Sequence, residues 1–251
     1  LMLPWKEKLV VDSMVADLGG GGANAAVGFS RLGLKSALLG RIGVGHVSQS
    51  VIQRLNSEMV DSSFLIKDEF SHTATSTIFT NYDGERTIVM YRGKNDLFNL
   101  SEVNIDGFLD TKWLYIADLA SSDDKNNFVK TLVQKANLKG IKIAFTPASR
   151  QLAVGLDGLK DILHNLEVMI LNQSEWDILS KGMPMEKASD LGPKITVVTQ
   201  DINGVKVCQK DIGCFKHPAP KIDKIEDTTG AGDAFSCAFI AALTKGFGIE
   251  Q

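Results

Sequence analysis

Asp227-Thr228-Thr229-Gly230-Ala231-Gly232-Asp233-Ala234-Phe235 is followed, after Ser236, by Cys237-Ala238-Phe239-Ile240-Ala241-Ala242-Leu243. The second half of this stretch has the character of a helix. The two glycines before it, separated by one alanine, let the backbone turn sharply. They present its N–H groups at a helix N-terminus, where they form a site for an anion such as phosphate. Asp233 then falls in the first helical turn. A carboxylate there complements the helix dipole whatever the function. Beside an anion site, however, it also repels the anion. A chain that keeps both has a use for the carboxylate on a second group, such as an attacking hydroxyl.

Far upstream lies a second glycine-rich string, Gly19-Gly20-Gly21-Gly22-Ala23-Asn24-Ala25-Ala26-Val27-Gly28, with Arg31-Leu32-Gly33 after it. Nine of the 23 glycines fall between Gly19 and Gly45. Gly20-x-Gly22-x-x-Ala25 formally fits a dinucleotide-binding turn, but that turn wants an acidic residue about 20 positions on. Gly40-Arg41 stands there instead. The alternative is close approach of bare backbone to an uncharged polyol, with Asn24 one turn into a helix. Its amide can both donate to and accept from sugar hydroxyls; a capping role for Asn24 is the simpler alternative. Gly33 reads as a helix C-terminal stop.

Between the two strings, apolar strand-like runs alternate with helix-like ones. Lys35–Gly40 is a short apolar run, and Val47, Val51, Leu55 and Met59 mark one face of a helix. Strands are expected at 112–117, 141–145, 167–171 and 194–198, and helices at 126–138, 156–165 and from Ser174. This rhythm predicts an α/β domain with a mostly parallel central sheet flanked by helices. Two segments break it. Lys8–Leu18 alternates loosely. Thr75–Thr80 and Arg86–Tyr91 flank Asp83-Gly84, a hairpin signal. Together these predict a small antiparallel lid from approximately 8–18 and 73–93. In an open parallel sheet ligands bind beyond the carboxyl ends of the strands, where Arg41, Asp118, Thr146, Asn172 with Glu175, and Thr199 are expected.

The totals narrow the field. The chain has 251 residues, 44% of them hydrophobic, and a net charge of −3, which suits one globular domain. A pI near 5.8 offers no bulk charge for nucleic acid. No apolar run approaches the roughly 18 residues of a membrane span, so no membrane partner is expected. Three cysteines, Cys208, Cys214 and Cys237, form no even framework, and reduced thiols in a cytoplasmic protein are expected. Four scattered histidines argue against zinc. Walker, G-x-S-x-G and protein-kinase motifs are absent.

The two strings resemble the two signatures of the ribokinase-like, or PfkB, carbohydrate kinases, in the family's order and about 200 residues apart. Asp83-Gly-Glu-Arg-Thr-Ile and Leu171-Asn-Gln-Ser-Glu175 also resemble family strings. The resemblance covers essentially the whole chain as a single domain, 1–251. It places the family's first strand and C-terminal segment outside these residues. It implies ATP-dependent phosphorylation of a sugar hydroxymethyl group. Asp233 would be the base, and Gly230, Ala231 and Gly232 the anion hole. Gly20, Gly21, Asn24 and Asp118 would lie on the acceptor side. Thr199, Gly204, Asn172 and Glu175 would serve the nucleotide, with Glu175 organising Mg²⁺ through water. Asp227 and Thr229 would lie near a monovalent cation such as K⁺. A homodimer through the lid is implied as well. The departures are specific. Gly21 stands where ribokinases carry lysine, Asp201 replaces the first glycine of the nucleotide loop, His46 ends the string Gly43-Val-Gly45-His46, and Thr146 replaces an asparagine. A nucleoside acceptor, or a non-catalytic sugar- or nucleotide-binding homologue, are the alternative readings.

Overall fold

A computed structural model of the chain describes residues 6, 8, 10–80, 86–94, 97–117, 128–147, 149–153, 155–223, 225 and 227–250. In chain order the elements are α1 (Gly21–Arg31), β1 (Gly40–Val44), α2 (His46–Ser57), β2 (Leu65–His72), β3 (Thr75–Thr80), β4 (Arg86–Tyr91), α3 (Ile105–Phe108) and β5 (Trp113–Ile116). The second half continues with α4 (Phe128–Leu138), β6 (Lys142–Phe145), α5 (Ser149–Ala153), α6 (Gly155–Leu163), β7 (Val168–Asn172), α7 (Gln173–Ser180), β8 (Ile195–Thr199), β9 (Val205–Gln209), β10 (Gly213–His217) and α8 (Ala231–Thr244).

The central sheet has six strands in the order β10-β9-β8-β7-β6-β5. β5 to β8 run parallel, and β9 and β10 are antiparallel additions. Both faces are buried, which is why these strands are apolar without alternation. Ile143, Phe145, Met169, Leu171 and Val198 face a core shared with α4, α6 and α7 through Leu132, Val133, Leu159, Leu163, Trp176 and Leu179. Ala144, Val168, Ile170, Val197 and Val207 face the other way, against Ile240 of α8 and Phe29 of α1. The α/β architecture expected from the sequence is therefore the observed one, with four strands placed to within a residue or two.

Apart from this sheet stand two small ones, a parallel β1–β2 pair and the antiparallel β3–β4 hairpin. The hairpin occupies the residues expected of it, with Thr75 opposite Tyr91 and Ile78 opposite Ile88; the Asp83-Gly84 turn lies outside the described residues. Other expectations need correction. The first apolar run makes only an isolated bridge, Ala37 to Asp61, and the strand begins at Gly40. Arg41 therefore sits inside β1 and not after it. Met59 has left its helix, which ends at Ser57, and takes a φ of 58° with its side chain in solvent. Residues 10–18 contain no strand, and Val10, Val11, Met14 and Val15 are exposed.

The cysteine expectation also fails. Cys208 and Cys214 form a disulfide. They are direct partners across the β9–β10 hairpin, so its register brings them together. Cys237 alone is free, and it is buried. Among the described residues no helix is long and apolar enough to cross a membrane.

Candidate active site

The two glycine-rich strings meet. α1 opens at Gly20, whose φ of 95° is open to glycine and strained for other residues. It closes at Gly33, with φ of 81°, where Gly33 N–H donates to Ser30 O and Leu34 N–H to Phe29 O. This is the glycine stop read from the sequence. Within α1 Asn24 is no cap. Its backbone N–H donates to Gly20 O, and its side-chain amide donates to Asp233 Oδ2 at 2.7 Å. That contact joins residues 209 positions apart.

Asp233 lies in the first turn of α8, behind Gly230 with its φ of 77°. The first-turn N–H groups of a helix have no acceptor within the helix; that of Ala231 donates back to Thr228 O at 3.2 Å, while those of Gly232 and Asp233 are directed out of the helix. A Cβ built on Gly230 or Gly232 meets nothing within 4 Å. The space beyond this turn is therefore open to a phosphoryl group. A Cβ on Gly21 would approach Ala117 Cβ at 3.3 Å and Asp233 Oδ1 at 3.6 Å. Gly21 thus lies directly across from the carboxylate, and its missing side chain is what keeps that gap open.

One large cavity gathers the acceptor-side candidates. Gly20, Gly21, Asn24, Asp227, Thr229, Gly230 and Asp233 line it, as do Ile78, Ile88 and Met90 of the hairpin. Asp118 lies outside the described residues. Asp227 and Thr229 are tied in a tight turn, with Thr229 N–H donating to Asp227 Oδ1 at 2.8 Å.

The nucleotide-side candidates assemble separately, at the ends of neighbouring strands, where Asn172 pairs with Thr199. Asn172 and Glu175 form a capping box: Glu175 N–H donates to Asn172 Oδ1, and Asn172 N–H donates to Glu175 Oε2, both at 2.9 Å. Burial raises the Glu175 pKa above the usual carboxylate range, partly offset by that backbone hydrogen bond. The cap commits Oε2 and leaves Oε1 to serve a water or a cation. Among the described residues no three acidic, histidine or cysteine side chains cluster as a metal cage. Magnesium is commonly held by one or two carboxylates with waters and substrate phosphates, which suits a single side chain such as Glu175.

Thr199 donates to Leu171 O at 3.4 Å. Asp201 holds a φ of 48°, an arrangement aspartate tolerates better than most residues. Gly204 has a packing reason of its own: a Cβ there would collide with His217 O at the end of β10.

Three contacts carried no advance signal. The Tyr115 hydroxyl meets Thr146 Oγ1 at 2.9 Å and also bonds Ser236, so the ends of β5 and β6 are tied to the turn after Asp233. Burial pushes that phenol up to about 12. Gln200 Nε2 donates to Gln173 Oε1 at 2.7 Å and links the two nucleotide-side loops. Gly28 packs on Cys237, one turn below Asn24 and Asp233 on their respective helices; a Cβ at 28 would lie 2.7 Å from Cys237 Sγ.

A mostly parallel sheet flanked by helices, with a small antiparallel hairpin apart from it, is a fold found in small-molecule kinases. The chain belongs to the pfkB family of carbohydrate kinases, which it matches over residues 5–251. It is 29% identical over 240 residues to a fructokinase of Escherichia coli, covering 90% of this chain and 77% of that one. Its fold is similar to that of a nucleoside kinase of Methanocaldococcus jannaschii, with a TM-score of 0.81 and 23% identity over 99% of this chain and 80% of that one. A structure assigned to ribokinase II from E. coli, in complex with ATP and Mg²⁺, superposes with a TM-score of 0.80 and 21% identity, covering 98% of this chain and 83% of that one.

Proposed function

We propose that the chain transfers the γ-phosphoryl of ATP to a hydroxymethyl group of a sugar, with Asp233 as the base. The observation that carries this reading is the 2.7 Å contact between Asn24 and Asp233, which joins the acceptor-side glycine string to the phosphate-side one. Asp233 accepts the proton of the attacking hydroxyl as its oxygen bonds the γ-phosphorus and the bond from that phosphorus to the bridging oxygen breaks, releasing ADP. General-base help of this kind contributes roughly 10²–10⁴ in rate. The N–H groups of Gly232 and Asp233, in the turn that Gly230 and Ala231 open, stabilise charge on the transferring group; one such donor is worth about 10²–10³ in rate. Asn24 holds the Asp233 carboxylate in place and offers its remaining polar atoms to the sugar. Gly20 and Gly21 let the acceptor approach against bare backbone. Asn172, Glu175, Thr199 and the turn to Gly204 form the nucleotide side. Bound magnesium would supply charge neutralisation on the phosphates, and Glu175 is the side chain that would hold it, through water. Asp118 stays in the proposal as a sugar contact, Asp227 and Thr229 as neighbours of a K⁺ ion, and the hairpin as a dimer contact in a cytoplasmic enzyme.

A nucleoside acceptor is the second reading, and one observation favours it. The hairpin side chains that line the cavity, Ile78, Ile88 and Met90, are apolar and suit a base better than a bare sugar. Both readings are tested by ADP release with ribose, fructose, 2-keto-3-deoxygluconate, adenosine and cytidine, in wild type and Asp233→Asn. Turnover on one class, lost by at least about 10² in the variant, is expected. Unchanged turnover in Asp233→Asn removes the base from the mechanism. Tight sugar or nucleotide binding with no turnover on any acceptor favours a binding protein.

A further inference from the structure

The hairpin over the cavity has two stems. Chain enters it through β2, and its leaving side is described at residues 92–94 and 97–102. One buried side chain touches both. Arg41, on β1 with its side chain 7% exposed, donates from Nε to Leu97 O at 2.9 Å and from Nη2 to Glu102 Oε2 at 2.6 Å, both on the leaving stem. Its Nη1 lies 3.6 Å from Asp68 Oδ2, on the entering stem. Asp68, equally buried, accepts from Phe70 N–H and pairs with Lys94 at 3.1 Å, which closes the loop from entering to leaving stem. Glu102 also accepts from Asn99 N–H and so caps the short turn at Leu100–Glu102. Two positive and two negative side chains thus knit three segments at the base of the hairpin. A second tie lies beside them: Gly43 N–H donates to Thr73 Oγ1, which also meets Ser48 Oγ, two residues before β3 begins.

From this geometry we infer that Arg41 is a positioning residue that fastens both stems of the β3–β4 hairpin and so sets its closure over the acceptor cavity. A guanidinium reaches three partners in three directions from one plane; an ammonium on a flexible stem cannot hold that arrangement. Removing it takes from Glu102 its guanidinium partner and leaves the buried Asp68 carboxylate with Lys94 alone, which costs more than the pair itself contributes. The loss falls on the stems, since no strand of the six-stranded sheet takes part. A two-stranded hairpin has little stability of its own, so its position is set where it is anchored. A loosely held hairpin admits water, the competing phosphoryl acceptor.

The test compares wild type, Arg41→Met, Arg41→Lys and Lys94→Met in two assays. Hydrogen exchange is followed in peptides covering Leu65–Thr80 and residues 86–104, against peptides covering β6 to β8. In Arg41→Met the first set is expected to exchange about tenfold faster or more while the second is unchanged; Arg41→Lys falls between. Exchange that rises equally in both sets, or in neither, overturns the inference. If Arg41→Met does not fold, Arg41→Lys and Lys94→Met decide by the same criterion. This assay is independent of the proposed function, on which the second one rests. There, Arg41→Met is expected to raise the acceptor KM about tenfold with kcat changed less, and to raise ATP hydrolysed per acceptor phosphorylated. An equal loss in kcat and kcat/KM at an unchanged hydrolysis ratio overturns it. A wild type that phosphorylates no acceptor sinks the kinase reading and leaves the exchange result to judge Arg41.

Discussion

Gly28→Ala adds one methyl group remote from every polar atom of the site, and it is expected to damage the site severely. The new Cβ would lie 2.7 Å from Cys237 Sγ and 3.1 Å from Cys237 Cβ. Comfortable contacts between such atoms are about 3.5–4.0 Å, so the two helices must part by roughly 1 Å or Cys237 must turn aside. Turning aside is opposed by its surroundings, since Cys237 is 2% exposed and its Sγ–H points to Ala25 O at 3.6 Å. Asn24 and Asp233 sit one helical turn away on the same two helices, and their 2.7 Å bond does not survive a separation of that size. Misplacement by 1 Å costs about 10²-fold in rate. Stability responds differently. Overpacking costs about 1–3 kcal/mol, while replacing a mid-helix glycine by alanine returns roughly 0.5–1 kcal/mol. The net is a loss of about 0–2.5 kcal/mol. The expected result is a folded variant whose kcat/KM for acceptor, measured by coupled ADP release, is down by about two orders of magnitude. Adding Cys237→Ala removes the sulfur and should restore most of the rate. A single variant with wild-type kcat/KM, or a double variant no better than the single one, would refute the spacer argument.

Three further outcomes follow from other parts of the structure. Reducing the Cys208–Cys214 disulfide, whose sulfurs close a loop of sequence separation 6, should cost about 2 kcal/mol; thermal melts with and without reductant, or with Cys214→Ser, should differ by roughly 4–8 °C. Burial first, and the nearby Asp233 charge second, push the Cys237 thiol up to about 11, so the thiolate appears only at higher pH. At pH 8 about one thiol in a thousand is ionised, and an electrophilic thiol reagent should leave folded, oxidised protein essentially unlabelled, with the rate rising until pH 11; fast labelling at pH 8 would mean that Cys237 is accessible. Glu175→Gln should keep the capping box and its melting temperature while raising the magnesium requirement, whereas Glu175→Ala should also lose about 0.5–2 kcal/mol in a melt.

The fold was legible where burial and periodicity agree. β3 and β4 fall on their expected residues, and β5 to β8 follow because strands buried on both faces read as plain apolar runs. β2 was not seen. Lys67, Asp68 and Glu69 interrupt its pattern, and Asp68 points inward because Arg41 and Lys94 neutralise it. A buried ion cluster thus hides a strand from any reading based on polarity. The disulfide escaped because counting cysteines says nothing of register, although Cys208 and Cys214 flank Gln209-Lys210-Asp211-Ile212-Gly213 as a hairpin would require. In the site, Asp233 and Asn24 were legible as residues but not as partners. Sequence spacing along each helix is local, and the bond between them depends on how closely Gly28 lets the helices pack.

The Asn24–Asp233 contact also bears on how the chain folds. It spans 209 residues, and the α1–α8 packing that creates it is almost entirely non-local. Pairings of such high sequence separation form late and slowly, because the loop entropy is lost before the contact rewards it. During synthesis α1 emerges early and waits, with its glycine-lined end unmatched, until α8 arrives. A nascent or C-terminally nicked chain can therefore hold folded hairpins and much of the sheet while Asn24 has no Asp233 opposite it. Recovery of turnover on refolding should lag behind recovery of secondary structure, which makes activity the most sensitive reporter of complete folding in this molecule.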